Sequence, residues 1–193
     1  MVNAILSFWF FHVKKEKDTI IKRNGNRSEC RYERRSAVKT TDKIYNQADF
    51  ETANVFGTGN PNTAFAAYFT GNSYLNPLTE MGKAPVFLAN VSFEPGCRNN
   101  WHIHRAAEGG GQILICTAGE GWYQEEGKAP VSLRPGMVVV IPPNVRHWHG
   151  AKADSWFSHI AFEAPGRELS NEWCEPVTDE EYGCLAAQEG SQK

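Results

Sequence analysis

The sequence has no apolar stretch long enough to cross a bilayer as a helix, which takes about 20 residues. Its apolar run near the start, Ala4 to Phe11, is far shorter and carries neither the basic region nor the small-residue cleavage site of a secretory signal. Cysteine is sparse and odd in number, five residues with no Cys-x-x-Cys spacing. That argues against a disulfide framework and suits a reducing compartment, so the protein is expected in the cytoplasm, with no membrane partner. Histidine numbers only six, yet five of the six lie between positions 102 and 159.

Net charge is also small, −2, but unevenly spread. Through Lys43 there are eleven Lys or Arg against five Asp or Glu, and the remaining 150 residues carry nine against seventeen. An acidic body lacks the basic face that phosphate contacts need, which argues against nucleic acid as a partner of the folded part. The basic leading stretch is polar and aperiodic and cannot bury enough apolar surface to offset its ordering. Residues 1–45 are therefore expected to form a poorly ordered extension. A second reading starts the protein at Val38, where Val-Lys-Thr-Thr-Asp-Lys-Ile-Tyr looks like an ordinary chain start, and makes the first 37 residues an artefact of the gene model.

Residues 46–193 read as one domain, long enough to bury a real core. Residues 46 to 65 hold Asn, Gly and Pro at short intervals and are expected to be an irregular arm. Beyond them, short apolar segments alternate with Gly and Pro turns: Tyr74 to Leu78, Val86 to Phe93, Trp101 to His104, Gln112 to Thr117 and Trp122 to Gln124. Val131 to Leu133, Met137 to Ile141, Val145 to His149 and Trp156 to Glu163 continue the pattern, which implies an all-β sandwich or barrel. The uninterrupted aliphatic run Met137 to Ile141 predicts a strand buried on both faces. Near the end, Thr178-Asp-Glu-Glu181 is a capping box and predicts a short helix from Asp179 to about Ala187.

Side chains alternate faces along a strand, so His102-Ile-His104 and His147-Trp-His149 each direct two imidazoles to one side of a sheet. Two such pairs opposite each other make a nitrogen-rich pocket. Imidazole suits Zn, Fe, Ni, Cu and, with oxygen donors added, Mn, so the grouping reads as a metal site with His102, His104 and His147 as ligands. His149, one pleat past His147, is placed to reach a bound substrate rather than to share the ion, and is expected to act as a general acid or base with an ordinary pKa. Trp101, Trp122 and Trp148 read as packing, and Cys116 as a buried, inert thiol.

The run Gly96-Cys-Arg-Asn-Asn-Trp-His102-Ile-His104 followed by Gln112 to Gly119 resembles the first cupin motif, and Gly136-Met-Val-Val-Val-Ile-Pro142 through His147 resembles the second. Phe69-Thr-Gly71, Phe93-Glu-Pro-Gly96, His147-Trp-His-Gly150 and Val177-Thr-Asp-Glu-Glu-Tyr182 are similar to the small cupins that include manganese-dependent hydroxynitrile lyases and carboxymuconolactone-decarboxylase-type proteins. The resemblance covers about residues 66–182 and implies a jelly-roll barrel, a double-stranded β-helix, with the short helix at its C-terminal end. It also implies one divalent ion, Mn first, then Fe, Zn or Ni. A first motif usually places a Glu soon after the second His, whereas here His104 is followed by Arg-Ala-Ala-Glu108-Gly-Gly-Gly-Gln112. Counting back from Gly119 selects Gln112 as fourth ligand, as in the lyase-like group, and Glu108 is the alternative. Three imidazoles and an amide leave the ion's full charge in place, which favours bound anions. His159 aligns with a further pocket histidine of the lyase-like group and is the second candidate proton carrier.

The resemblance thus implies an enzyme acting on a small-molecule substrate: a lyase, decarboxylase or isomerase with the metal as Lewis acid and His149 or His159 moving a proton. The alternatives are an Fe(II) dioxygenase and a non-catalytic small-molecule-binding cupin. Open jelly rolls leave edge strands, and the arm at 46 to 65 is available to cover a neighbour's edge, so a homodimer is expected. Light scattering at micromolar concentration should return twice the mass of one chain; a monomeric mass would refute the expectation.

Overall fold

The structure, a computed structural model, describes residues 42–190. Residues 1–41, which contain most of the expected extension, lie outside the described residues. The chain already meets the barrel at Ile44, ahead of the expected boundary: Ile44 bridges to Trp156, its amide donates to Ser155 Oγ at 3.0 Å, and Lys43 pairs with Asp154 at 2.8 Å.

The stretch read as an irregular arm contains helix α1 (Gln47–Ala53). Asn46 starts it by accepting from the Asp49 amide at 3.0 Å, and fully buried Phe50 anchors it by stacking on Trp156 at 4.9 Å between ring centroids. Then follow β1 (Asn60–Pro61), a 3-10 turn at Thr63–Tyr68, β2 (Phe69–Thr70), β3 (Ser73–Pro77), β4 (Ala89–Phe93), β5 (Arg98–Asn99) and β6 (His102–Arg105). The next strands are β7 (Glu108–Gly109), β8 (Gln112–Gly119), β9 (Gly121–Glu125), β10 (Val131–Leu133) and β11 (Val138–Ile141). The chain ends through β12 (Arg146–Ala151), β13 (Phe157–Glu163), β14 (Gly166–Arg167), β15 (Ser170–Trp173) and helix α2 (Asp179–Gly190). Among the described residues no helix is long and apolar enough to cross a membrane.

Two antiparallel sheets enclose the core. One runs β1-β3-β4-β13-β8-β11; the other runs β10-β9-β12-β5-β2, with β6 paired to β12 and β15 to β6. This is the jelly roll that the motif resemblance implies. The core takes Phe93, Leu114, Ile141 and Phe157 from the first sheet and Tyr123, Leu133 and Ala151 from the second. Alternation along β8 sends Gln112, Leu114 and Cys116 inward and Ile113 and Ile115 outward.

The arm also carries the short strand β1, which pairs with β3, Asn60 opposite Leu75. Two expectations need correcting. The strand expected from Val86 begins only at Ala89, because Leu78 and Thr79 both donate their amides to the Leu88 carbonyl and turn the chain there. The run Met137 to Ile141 is not buried on both faces: β11 ends its sheet, pairing only with β8, and leaves Val138 and Val140 58% and 67% exposed. An all-aliphatic strand hides its inner and outer faces from a periodicity argument.

The expected C-terminal helix is present, and Thr178 and Glu181 cap each other's amides at 3.1 and 2.8 Å. Val177 and Leu185 pack on Trp101, Trp122 and Trp148, which are core residues as expected. Buried Arg98 grips this junction through the Val177 carbonyl at 3.0 Å.

The turn from β8 to β9 depends on Gly119, which has φ +66° and would place a Cβ 1.8 Å from the Trp156 carbonyl oxygen. Gly119→Ala combines left-handed strain with a backbone clash and is expected to cost more than about 2 kcal/mol. Chemical denaturation measures it, and an unchanged midpoint would contradict this packing.

Candidate metal centre

β6 and β12 lie side by side with His102 directly opposite His147. Alternation then turns His104 and His149 to the same inner face, and β8 and β13 of the facing sheet supply Gln112, His159 and Glu163. The ring centroids of His102 and His147 are 4.2 Å apart, those of His102 and His104 5.2 Å, and those of His104 and His147 5.6 Å. One nitrogen from each ring lies within 4.8 Å of the others.

Each ring is held by its outer nitrogen. His102 Nδ1 donates to the Asn100 carbonyl at 3.0 Å, His147 Nδ1 to the Val145 carbonyl at 2.9 Å, and His104 Nδ1 to Glu163 Oε1 at 2.8 Å. With the proton on Nδ1, each Nε2 keeps a lone pair. His104 Nε2 is buried and has no hydrogen-bond partner, and His147 Nε2 faces Gln112 Oε1 at 3.4 Å. Burial pushes His102 well below the ordinary imidazole range, with His147 and His104 adding to the effect, and pushes His147 down to about 4. Lone pairs without protons, gathered away from water, are a donor set that a divalent cation satisfies and little else does. The residues fit a metal.

Of the two candidates for the fourth position, the structure brings Gln112 beside the cluster, its Oε1 3.4 Å from His147 Nε2. Glu108 stands on the β7–β14 ribbon, its side chain 76% exposed and paired with Arg167.

His149 Nδ1 lies 3.1 Å from His159 Nε2, and both rings are buried. The expectation of an ordinary pKa for His149 is overturned. Complete burial, with His159 and the other imidazoles adding, holds it well below the usual range, and burial lowers His159 to about 3. Asn99 Oδ1 accepts the His149 amide at 2.9 Å, and its Nδ2 lies 3.2 and 3.1 Å from the two ring nitrogens. Cys116 is buried in the core, and burial pushes its thiol up to about 12, in line with an inert role.

His102, His104, Gln112, His149 and His159 line a cavity of about 420 Å³ whose other walls include Phe65, Phe69, Val86 and Phe87. Trp173 stacks on His102 at 4.9 Å and on Tyr68 at 4.4 Å. Sequence reasoning missed Asn99, Glu163 and Trp173. Glu163 alone left a signal, since it ends the Trp156 to Glu163 segment in phase with His159.

A two-sheet jelly roll whose inner face gathers three imidazoles beside an apolar cavity defines the class of protein. The chain belongs to the cupin family. Residues 89–157 match the family model described as a cupin domain. It is 42% identical over 118 residues to an (R)-mandelonitrile lyase of Granulicella tundricola, covering 61% of this chain and 87% of that one. It is also similar to the crystal structure of a cupin-like protein from Thermotoga maritima, with 41% identity and a TM-score of 0.58 over 68% of this chain and 96% of that one.

The buried imidazoles make stability depend on pH. Their folded pKa values lie below the unfolded value of about 6.5, so the unfolded chain binds more protons and stability falls as pH drops below that value. For His147 and His159 the loss levels off only near their folded values of about 4 and 3. The metal-free protein should lose up to about 1.4 kcal/mol per pH unit for each such histidine. Melting temperatures measured from pH 7 to pH 5 test this, and a flat profile would contradict it.

Proposed function

We propose that the protein is a metal-dependent lyase that cleaves a small α-hydroxy compound, an aromatic cyanohydrin in the first instance. The observation that carries this reading is the convergence of three lone-pair nitrogens beside an apolar, aromatic-walled cavity that His102 and His104 help to line. The 42% identity to a mandelonitrile lyase supports the choice of reaction. His102, His104, His147 and Gln112 would hold a divalent ion, and three imidazoles with one amide oxygen suit Mn first, then Fe, Zn or Ni. When bound, the ion supplies Lewis acidity toward a substrate oxygen.

The rest is the work of this chain's own side chains. The phenyl-sized part of the substrate packs among Phe65, Phe69 and Phe87, which excludes water from the reacting carbon. His149, neutral because it is buried, accepts the hydroxyl proton. The carbon–carbon bond to the nitrile then breaks, cyanide leaves with that bond's electron pair, and the former O–H pair forms the carbonyl. The proton passes from His149, directly or through His159 at 3.1 Å, to cyanide, which departs as hydrogen cyanide.

Mn-loaded protein given mandelonitrile should release aldehyde, followed by ultraviolet absorbance, together with cyanide. No release with Mn, Fe, Zn or Ni would refute the lyase reading, and oxygen uptake in its place would indicate a dioxygenase. His149→Ala should keep its metal and lose on the order of 100-fold or more in rate. By metal analysis, Gln112→Ala should weaken retention, His147→Ala should abolish it, and Glu108→Ala should leave it unchanged. Loss of the metal in Glu108→Ala alone would overturn the ligand set.

A further inference from the structure

The three clustered imidazoles are not held alike. His102 and His147 each donate Nδ1–H to the carbonyl two residues earlier in their own chain segment, Asn100 and Val145. Those bonds are made by backbone, and no side-chain substitution removes their acceptors. His104 is different, because its Nδ1 meets a carboxylate, Glu163 Oε1, at 2.8 Å and 59 residues away in sequence.

Glu163 reaches it for a reason of register. It is the last residue of β13, in phase with inward-facing Phe157, His159 and Ala161, and it stands directly opposite Gln112 on β8. Asn171, which lies opposite His104 on the β15–β6 ladder, hydrogen-bonds the same carboxylate. Glu163 is thus braced between the strand that carries His104 and the strand that carries Gln112. Removing it would leave His104 Nδ1 without its partner, beside an Nε2 that already has none. Nothing else among the described hydrogen bonds fixes which nitrogen of that ring bears the proton.

We propose that Glu163 is the positioning residue of the metal centre: it locks His104 as the Nδ1–H tautomer with Nε2 turned inward, and it supplies, one hydrogen bond away, negative charge that the neutral set of three imidazoles and Gln112 lacks. The inference rests on the proposal that this cluster holds an ion. Outer partners of ligating histidines raise ligand basicity and fix ring orientation, and their loss commonly costs 10- to 100-fold in metal affinity. An amide in place of the carboxylate keeps an acceptor for Nδ1–H but drops the charge, so the two contributions separate.

The test uses metal-free full-length protein, wild type, Glu163→Ala and Glu163→Gln, titrated calorimetrically with Mn(II), alongside 15N spectra of the imidazoles recorded before metal is added. In Glu163→Ala the Mn(II) dissociation constant should rise about 10- to 100-fold, and the His104 signals should move from a protonated Nδ1 with bare Nε2 toward a tautomer mixture. Glu163→Gln should keep the wild-type tautomer and bind with intermediate affinity. Unchanged affinity and tautomer in Glu163→Ala would overturn the role of Glu163 while leaving the metal centre standing, as would a Glu163→Gln tautomer no closer to wild type than that of Glu163→Ala. Wild-type protein that binds none of Mn, Fe, Zn or Ni would overturn the metal centre and this role together. If Glu163→Ala does not fold, the intermediate affinity and retained tautomer of Glu163→Gln decide the matter alone.

Discussion

The register of one short ladder governs the centre of this molecule. β6 and β12 pair so that His102 faces His147, and that single alignment puts four imidazoles on the inner face of one sheet. Side chains on a strand repeat every two residues, so a one-position slip of β6 would send His102 and His104 outward in favour of Ile103 and Arg105, and a slip of β12 would exchange His147 and His149 for Trp148 and Gly150. The slip is opposed from both sides. Trp148 is fully buried among Trp101, Trp122 and the residues around α2, and Ile103 is buried too, so the outer face of these strands has its own apolar cover. The site is held in register by packing on the side of the sheet away from it.

Burial then sets the chemistry. Imidazoles this far from water cannot readily hold protons, so the cluster consists of neutral groups whose outer nitrogens are spoken for and whose inner ones are bare. His149 and His159 face the same constraint, and they meet each other at 3.1 Å. A neutral imidazole has one donor and one acceptor nitrogen, so the two rings can share a hydrogen bond without either carrying charge. Phe65, Phe69 and Phe87 extend the same low-polarity surroundings along the cavity.

The sequence by itself determined the architecture and the three clustered histidines. Turn residues at short intervals and alternating strands implied a sandwich or barrel, the resemblance of the two histidine motifs to a known family selected the jelly roll, and the capping box marked α2 to the residue at its start. Counting positions along β8 also favoured Gln112 over Glu108, because strand phase fixes where a side chain points. What only the tertiary structure decided is whatever depends on strands far apart in the chain. It put β11 at a sheet edge, where its aliphatic run faces solvent on one side. It buried His149 and so displaced the pKa that its residue type suggests. It brought Glu163 to His104 across 59 residues, since an acid at the end of an apolar strand carries no mark of the partner that long-range pairing will set beside it.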